Sequence, residues 1–320
     1  MTGYLVRRIA ANLVVFVLIT IAIFALVHNA PGDPIAMQIP PAQLNAGSAA
    51  FIATKRHELG LDLPLPVQYL RWVSGAVHGD LGYSLVNGRP VGELLAERIG
   101  PTLELTGIGL AIALLLAIPL GTLAALRRNT VLDHSVTVLS LGAVSIPPFF
   151  LAIVAIFLLS VQLPLLPSSG ISTPGSGAGL GDLVWHLILP VLVLGLTNAG
   201  PYMRYVRSSV LGEIGADYVR TAAAKGTSPG RIARSHILRN AMLPVVTVVA
   251  ANLPQQLAAA VVIEQVFAWP GLGQLALSSV QSHDYSVIIG FALVVAVFVL
   301  ISNLVADLLY PLIDPRVRLT

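Results

Sequence analysis

The densest group of side chains suited to binding a partner lies between residues 204 and 244, where seven of the chain's eighteen basic residues fall. Its centre reads DYVRTAAAKG. Asp217 is a candidate N-cap, residues 218–225 fit two helical turns, and Gly226 can end them with a positive φ. Ser228 and Pro229 fit the N-cap and first residue of a further helix. The pattern predicts a short helix between two membrane spans, and we expect this helix to bind another protein.

The small side chains in this helix would let another protein surface approach it closely. The candidate docking residues are Asp217, Tyr218, Arg220, Thr221, Ala222, Ala223, Lys225 and Gly226, with Ala224 beside them. Two plainer interpretations stay open. Basic loops also fix the topology of membrane proteins, and alanine-rich segments are good helix formers whatever they contact.

A second group consists of amides within an apolar stretch. Asn252, Gln255 and Gln256 lie beside Pro254, which can break a helix, and their spacing allows one shared helical face. Polar groups inside a membrane favour a transport pathway, and we expect these three to line it. Hydrogen bonds between helices are the alternative. The carboxylates of Glu104, Glu264 and Asp307 lie near the ends of apolar stretches, where they can reach water or pair with a neighbour.

Sequence motifs of known catalytic sites are missing. The chain has no G-x-x-x-x-G-K-[ST] phosphate loop, no H-E-x-x-H and no G-x-S-x-G. It has no cysteine, which excludes disulfides and thiolate metal sites. We therefore expect a protein that is not an enzyme and that holds no metal or cofactor of its own.

The elements that position these residues are membrane helices, since 56% of the residues are hydrophobic and only 10% are charged. Six stretches are long enough to span the ~30 Å hydrocarbon layer. They cover residues 9–27, 103–126, 136–163, 183–206, 243–266 and 287–309. The first has no convincing cleavage site after it and is interpreted as a retained anchor. The fold class is an all-α membrane protein with six transmembrane helices.

Basic residues predict the orientation. If the helices alternate, thirteen of the eighteen fall on one side, which places both termini in the cytoplasm. The other five lie in the long segment 28–101, and long segments translocate regardless of charge. The net charge of +3 reflects this bias and gives no reason to expect a nucleic-acid partner.

Residues 28–101 are too rich in apolar and aromatic side chains to form a flexible tether. Helical spacing is present at 49–59, 67–77 and 91–99. The segment is either a compact lid over the outer mouth or a loop that covers helix ends. The predicted organisation is an N-terminal helix (1–27), this extracytoplasmic segment (28–101), a five-helix core (102–310) with a cytoplasmic loop at 207–240, and a cytoplasmic tail (311–320).

Across nearly its whole length, the chain resembles the first permease of the dipeptide, oligopeptide and nickel group of bacterial ABC importers. The resemblance is carried, in order, by YLVRRI, APGDP, LGLDLPLPVQYLRWVSGAVHGDLGYSL, PVGELLAERIGPTLELT, DYVRTAAAKG, HILRNAMLP, EQVFAWPGLGQL and LIDPRVRL. Importer permeases share a loop pattern of Glu-Ala-Ala, three residues, then Gly. Aligned on Gly226, the Glu position is Arg220 and only Ala222 and Gly226 match, whereas the peptide branch's Arg-Thr-Ala-x-Ala-Lys-Gly fits residues 220–226.

The resemblance implies a type I importer permease fold in a bacterial plasma membrane. It also implies four kinds of partner: a second, non-identical permease, two ATPase subunits or one fused tandem ATPase, an extracytoplasmic solute-binding protein, and membrane lipid. ATP and Mg²⁺ would bind the ATPase subunits. Peptide is the expected cargo, with nickel, glutathione and haem as alternatives. A secondary transporter or an intramembrane hydrolase remains as a rival class, although neither an internal repeat nor a catalytic site is evident.

Overall fold

In a computed structural model of the chain, the residues described are 2–29, 35–36, 46–58, 60–175 and 179–313, with side chains described only from 7 to 306 and not for residues 37–48. The helices are α1 (Thr2–His28), α2 (Ala46–Glu58), α3 (Leu65–Val77), α4 (Val91–Leu126), α5 (Val131–Ser145), α6 (Pro148–Ile156), α7 (Leu180–Ile214), α8 (Asp217–Ala224), α9 (Pro229–Arg231), α10 (Arg239–Ala251), α11 (Leu253–Val266), α12 (Leu272–Gln281) and α13 (Tyr285–Ile313). Two π-helical segments, Phe157–Gln162 and Ile232–Leu238, continue α6 and α9. Within these ranges there is no β-strand, so the predicted all-α fold is confirmed.

Four helices are long and apolar enough to cross a membrane: α1, α4, α7 and α13. The third and fifth predicted spans are instead bent pairs. Val131–Ser145 and Pro148–Gln162 meet at 98°, and Pro229–Ala251 and Leu253–Val266 meet at 54°. Six spans result only if each bent pair is counted as one.

The sharper bend has a local cause in the sequence SIPPF. Ile146 is extended, with φ −85° and ψ 121°, as expected for a residue that precedes proline. Pro147 then occupies the N-cap of α6 and Pro148 its first turn, where a missing N–H costs little. The proline pair therefore ends one helix and begins the next.

The chain divides into two compact units, residues 1–100 with 271–301 and residues 101–270 with 302–320. The boundary at Gly100 and Pro101 lies beside the predicted boundary at 101, but residues 271–301 group with the N-terminal part and not with the predicted core. The predicted helix at 91–99 is also not separate, because it forms the first turns of α4, which continues through Pro101. Residues 314–320 of the predicted tail lie outside the described residues.

In the first unit, the turn before α4 is fixed by a distant carboxylate. Asp284 is buried, and it accepts hydrogen bonds from the Ser84 hydroxyl at 2.5 Å and from the Leu85 amide at 3.1 Å. Apolar packing surrounds this contact: Val91, Leu94 and Leu95 cluster with Leu272 and Val287. The start of α4 is thereby held to α12 and α13.

In the second unit, α7 is the central helix, and fourteen of its residues are buried. It passes close to α5 at Gly200, where an added Cβ would lie 2.7 Å from the Ser140 carbonyl oxygen and 2.8 Å from the Ala143 Cβ. Small residues at such crossings let membrane helices pack by close backbone approach. The unit therefore gives α7 a fixed partner along its C-terminal half.

Candidate coupling site and transport pathway

The predicted docking helix is present as α8, one residue earlier than its predicted limits of 218–225. Its N-cap is Ala216, with ψ 146° and no side-chain cap. Asp217 is thus the first helical residue and not the predicted N-cap. Its carboxylate is fully exposed and lies 3.8 Å from the Arg220 guanidinium. A carboxylate in the first turn still interacts favourably with the positive end of the helix dipole.

The end of α8 forms the motif that Gly226 predicts. The Gly226 amide donates to the Ala223 carbonyl oxygen at 2.9 Å, and the Thr227 amide donates to the Ala222 carbonyl oxygen at 3.1 Å. These two bonds define a Schellman cap, which needs a left-handed residue at its turn. Gly226 has φ +77°, as predicted.

One face of α8 packs inward. Ala222 is buried and Val219 is half-buried, and both join an apolar cluster in the second unit. The other buried members of the cluster are Ala125, Val206, Val210, Ile232, Ile237, Ala241 and Val245. Ala222 therefore does not belong to a free docking surface. It attaches α8 to α4, to α7 and to the helix that follows.

The opposite face of α8 is open. Tyr218, Arg220, Thr221, Ala223, Ala224, Lys225 and Gly226 are all exposed. The Tyr218 hydroxyl donates to the Glu213 carboxylate, which lies in the last turn of α7. Desolvation and the bond to Glu213 raise the pKa of Tyr218, and a hydrogen bond with Asn240 acts in the opposite direction. The surface offered to a partner is basic and polar, with one aromatic edge.

A buried ion pair, which inspection of the sequence missed, fixes the membrane helix leading to this site. Arg207 on α7 donates to both carboxylate oxygens of Asp133 on α5, at 2.5 and 2.9 Å. Asp133 also accepts the Asn129 amide at 3.0 Å, and its side chain is 3% exposed. The signal that could have found it was a single carboxylate in the otherwise apolar helix α5, which needs a countercharge such as an arginine of the basic segment 204–244.

The three predicted pathway amides do not share one helical face. Asn252 lies at the 54° bend, where its side chain donates to the Val248 carbonyl oxygen at 2.9 Å. Gln255 is exposed in the first turn of α11. Gln256 is buried and donates to the Tyr202 hydroxyl of α7 at 3.0 Å, while its amide oxygen has no partner in the part of the chain the structure describes. The helix break at Asn252 separates residues that a continuous helix would align.

Of the two alternatives for the Glu264 carboxylate, contact with water or with a neighbour, the structure shows contact with a neighbour. The carboxylate is fully buried and accepts a hydrogen bond from the Thr102 hydroxyl at 2.6 Å. Beside it, the Trp269 indole donates to the Pro101 carbonyl oxygen at 3.0 Å. Glu104 is exposed, and the side chain of Asp307 lies outside those described. The EQVFAWPGLGQL segment therefore fastens the end of α11 to α4.

Within the described ranges, no three histidine or carboxylate side chains are grouped so as to hold a metal ion. The arrangement around α8 instead supports a mechanical role. An exposed face can be pushed, and the buried face would pass the displacement to three membrane helices.

Proteins of several bacteria are similar to this chain over nearly its whole length. Residues 117–319 match the family described as binding-protein-dependent transport system inner membrane component, and residues 1–106 match its N-terminal domain. The chain is 44% identical to a protein of Brucella suis named as a peptide permease, over the full length of both. It is 38% identical to the oligopeptide transport system permease protein AppB of Bacillus subtilis, over 99% of this chain and 100% of that one. It is also 38% identical to the dipeptide transport system permease protein DppB of Escherichia coli, over 99% of each.

Proposed function

The chain belongs to the family of inner-membrane components of binding-protein-dependent transport systems, and we propose that it forms half of the translocation pathway of an ATP-driven peptide importer. Its apolar helices make it a multi-pass inner-membrane protein. Peptide is the proposed cargo because relatives covering the whole chain are named for peptides, oligopeptides and dipeptides. The observation that carries the coupling role is α8 itself, with one face anchored and the other open.

The proposed partners follow from the division of labour in such a system. A second, non-identical permease completes the pathway, and two ATPase subunits, or one fused tandem ATPase, bind the exposed face of α8. ATP and Mg²⁺ act on those subunits, and this chain contributes no catalytic group. An extracytoplasmic solute-binding protein delivers the peptide. Both termini lie in the cytoplasm in this proposal, which puts the basic loop on the same side as ATP.

Coupling requires that a displacement of α8 reaches the pathway. Ala222 and Val219 pack against α4, α7 and α10 in one cluster, so a push on the exposed face moves these helices together. Packed helices shift between discrete arrangements because close-packed cores do not deform continuously. α7 also carries Tyr202, which binds Gln256 across the bend between α10 and α11. The displacement of α8 would therefore be transmitted to the bent pair of α10 and α11, next to Gln255.

The test is uptake by the complete complex in proteoliposomes with ATP on the cytoplasmic side and the binding protein outside. We expect a labelled dipeptide to accumulate in an ATP-dependent manner. Nickel, glutathione and haem, each offered in place of peptide, distinguish the other cargoes implied by the resemblance. Accumulation of one of these without peptide uptake would contradict the proposed cargo. ATP-independent uptake by this chain alone would contradict the importer itself.

A further inference from the structure

The helix α3 lies beside the outer end of α1, at a depth that can be measured along α1. Its Tyr69 hydroxyl shares a hydrogen bond of 2.9 Å with the Thr20 hydroxyl. Phe24 packs against Tyr69 and Trp72, with ring centroids 5.5 and 6.0 Å apart. Thr20 lies eight residues before His28, the last residue of α1, which is about 12 Å along the helix axis.

That depth lies within the membrane. An exposed charged side chain is costly where it would face lipid, so the exposed Arg8 marks one edge of the span. Twenty residues of helix separate Arg8 from His28, about 30 Å, which is the thickness of the layer. The Tyr69 hydroxyl therefore reaches into the outer half of the bilayer, and α3 lies alongside the last two turns of α1.

The outward face of α3 has the composition of a lipid-facing surface. Val67, Leu70, Ser74 and Val77 follow at spacings of three, four and three residues, which makes them one stripe on the helix. All four are exposed, Leu70 at 65% and Val77 at 78%. Neighbouring side chains of α1, such as Leu26, are exposed and apolar too. The stripe thus continues the membrane-facing surface of α1.

The inner side of α3 borders a cavity of about 280 Å³ with complementary charges. Phe24, Trp72 and Tyr285 form apolar walls, and Arg71 and Asp80 supply a guanidinium and a carboxylate. The Asp80 carboxylate accepts the Gly82 amide at 2.9 Å. Arg71 forms no direct ion pair or hydrogen bond with any residue that the structure describes. Its charge does act on the exposed Asp62, whose pKa is lowered mainly by the hydrogen bond with His57 and further by Arg71. A positive and a negative group in one open cavity at the membrane surface match a zwitterionic headgroup.

We propose that α3 is an interfacial helix embedded in the outer leaflet, and that the cavity beside it binds the headgroup of a zwitterionic phospholipid. The phosphate lies against Arg71, whose planar guanidinium suits phosphate oxygens, and the ammonium group lies against Asp80. Acyl chains of the surrounding lipid cover the outward stripe at Val67, Leu70 and Val77. Aromatic side chains at this level are typical of membrane interfaces. Residues 65–77 are then a membrane anchor, while the turn around Asn87 stays in water.

The absence of cysteine makes the depth directly measurable, since a single introduced cysteine can carry a spin label. The intact membrane complex, purified through a tag on this chain, is reconstituted in phosphatidylethanolamine–phosphatidylglycerol vesicles with Leu70→Cys or Val77→Cys, and with Asn87→Cys as the water-exposed control. We expect oxygen to relax the labels at 70 and 77 and a nickel chelate to leave them unaffected, with the reverse at 87. Access by the nickel chelate at 70 and 77 would place the stripe in water, and access by neither reagent would place it against protein. Either result overturns the proposal.

The headgroup site has its own test by native mass spectrometry of the same complex. Arg71→Gln should lower the affinity for phosphatidylethanolamine by about tenfold, the effect of one lost charged hydrogen bond. Arg89→Gln is the matched control, because Arg89 is an arginine of the same unit that pairs with Glu97. Retention of the lipid by Arg71→Gln, displacement by inorganic phosphate, or displacement by a dipeptide would each refute a phospholipid site. None of these results depends on which cargo the importer carries.

Discussion

Gly226 has the one backbone conformation in the α8 region that other residues avoid, at φ +77°. A Cβ added there would meet nothing within 4 Å, so any effect of substitution comes from backbone strain and not from a clash. Strain of this kind costs about 1–3 kcal/mol for a β-branched residue. The penalty falls on the Schellman cap that ends α8, because that cap is built on the left-handed turn.

Replacing Gly226 by valine should therefore disturb the exposed end of α8 and uncouple transport. We expect peptide-stimulated ATPase activity of the reconstituted complex to fall while membrane insertion is retained. Gly175→Val is the control, since Gly175 also has a positive φ of +85° and open space around its Cβ, but lies in the loop before α7. Equal loss in both variants would mean that strain, and not the position of α8, is responsible.

The pair formed by Asp133 and Arg207 predicts an asymmetry between its two partners. The Asp133 side chain is 3% exposed and that of Arg207 is 29% exposed. Arg207→Leu leaves a buried carboxylate without its countercharge, which should cost about 3–5 kcal/mol. Asp133→Asn leaves a guanidinium that still reaches solvent, at a cost of about 1–2 kcal/mol.

The measurement is the heat-induced loss of the monodisperse gel-filtration peak of the detergent-solubilised chain. The Arg207→Leu variant should lose its peak at the lower temperature. The variant that combines Arg207→Leu with Asp133→Asn should be no less stable than Arg207→Leu alone, because the buried Asp133 carboxylate is then replaced by a neutral amide. If Asp133→Asn proved the more damaging change, burial of the carboxylate would not be the main reason that breaking the pair is costly.

At the scale of elements, apolar stretches of the right length predicted four membrane helices well but could not give the bends. A hydropathy window averages over consecutive residues and contains no information on helix direction. The helices on either side of Pro147 meet at 98°, and those on either side of Asn252 meet at 54°. The same limitation led to the prediction that Asn252, Gln255 and Gln256 share a face. The two prolines of SIPPF do predict a helix break, but the angle between α5 and α6 also depends on how both helices pack against α7.

The bent pair of α10 and α11 gives different expectations for its two adjacent glutamines. Gln255 is exposed beside the bend, so Gln255→Leu should reduce peptide uptake with the yield of complex unchanged. Gln256→Leu removes the bond to Tyr202 and should lower stability by about 1 kcal/mol, with little further loss when combined with Tyr202→Phe. Unchanged uptake in Gln255→Leu would end the proposal that this residue lines the pathway.

At the scale of the whole molecule, the first unit joins residues far apart in the sequence. The Ser84 hydroxyl and the Asp284 carboxylate are separated by 200 residues, and no local pattern predicts that contact. Helical spacing within the segment 28–101 located α2 and α3 within a few residues. It could not show that α12 and the start of α13 pack against the start of α4, because each of these helices has an ordinary apolar sequence.

The orientation of the molecule is the remaining expectation that one experiment can decide. Asn87 lies exposed in the turn before α4, and Ala223 lies exposed on α8, so single cysteines at these positions report opposite sides. In spheroplasts, a membrane-impermeant maleimide should label Asn87→Cys at once and Ala223→Cys only after lysis. We expect Ala223 on the cytoplasmic side because the basic residues around α8 resist translocation. We expect Asn87 on the opposite side because long segments such as 28–101 are translocated regardless of charge. The reverse labelling would put α8 out of reach of ATP-driven partners and would refute its coupling role.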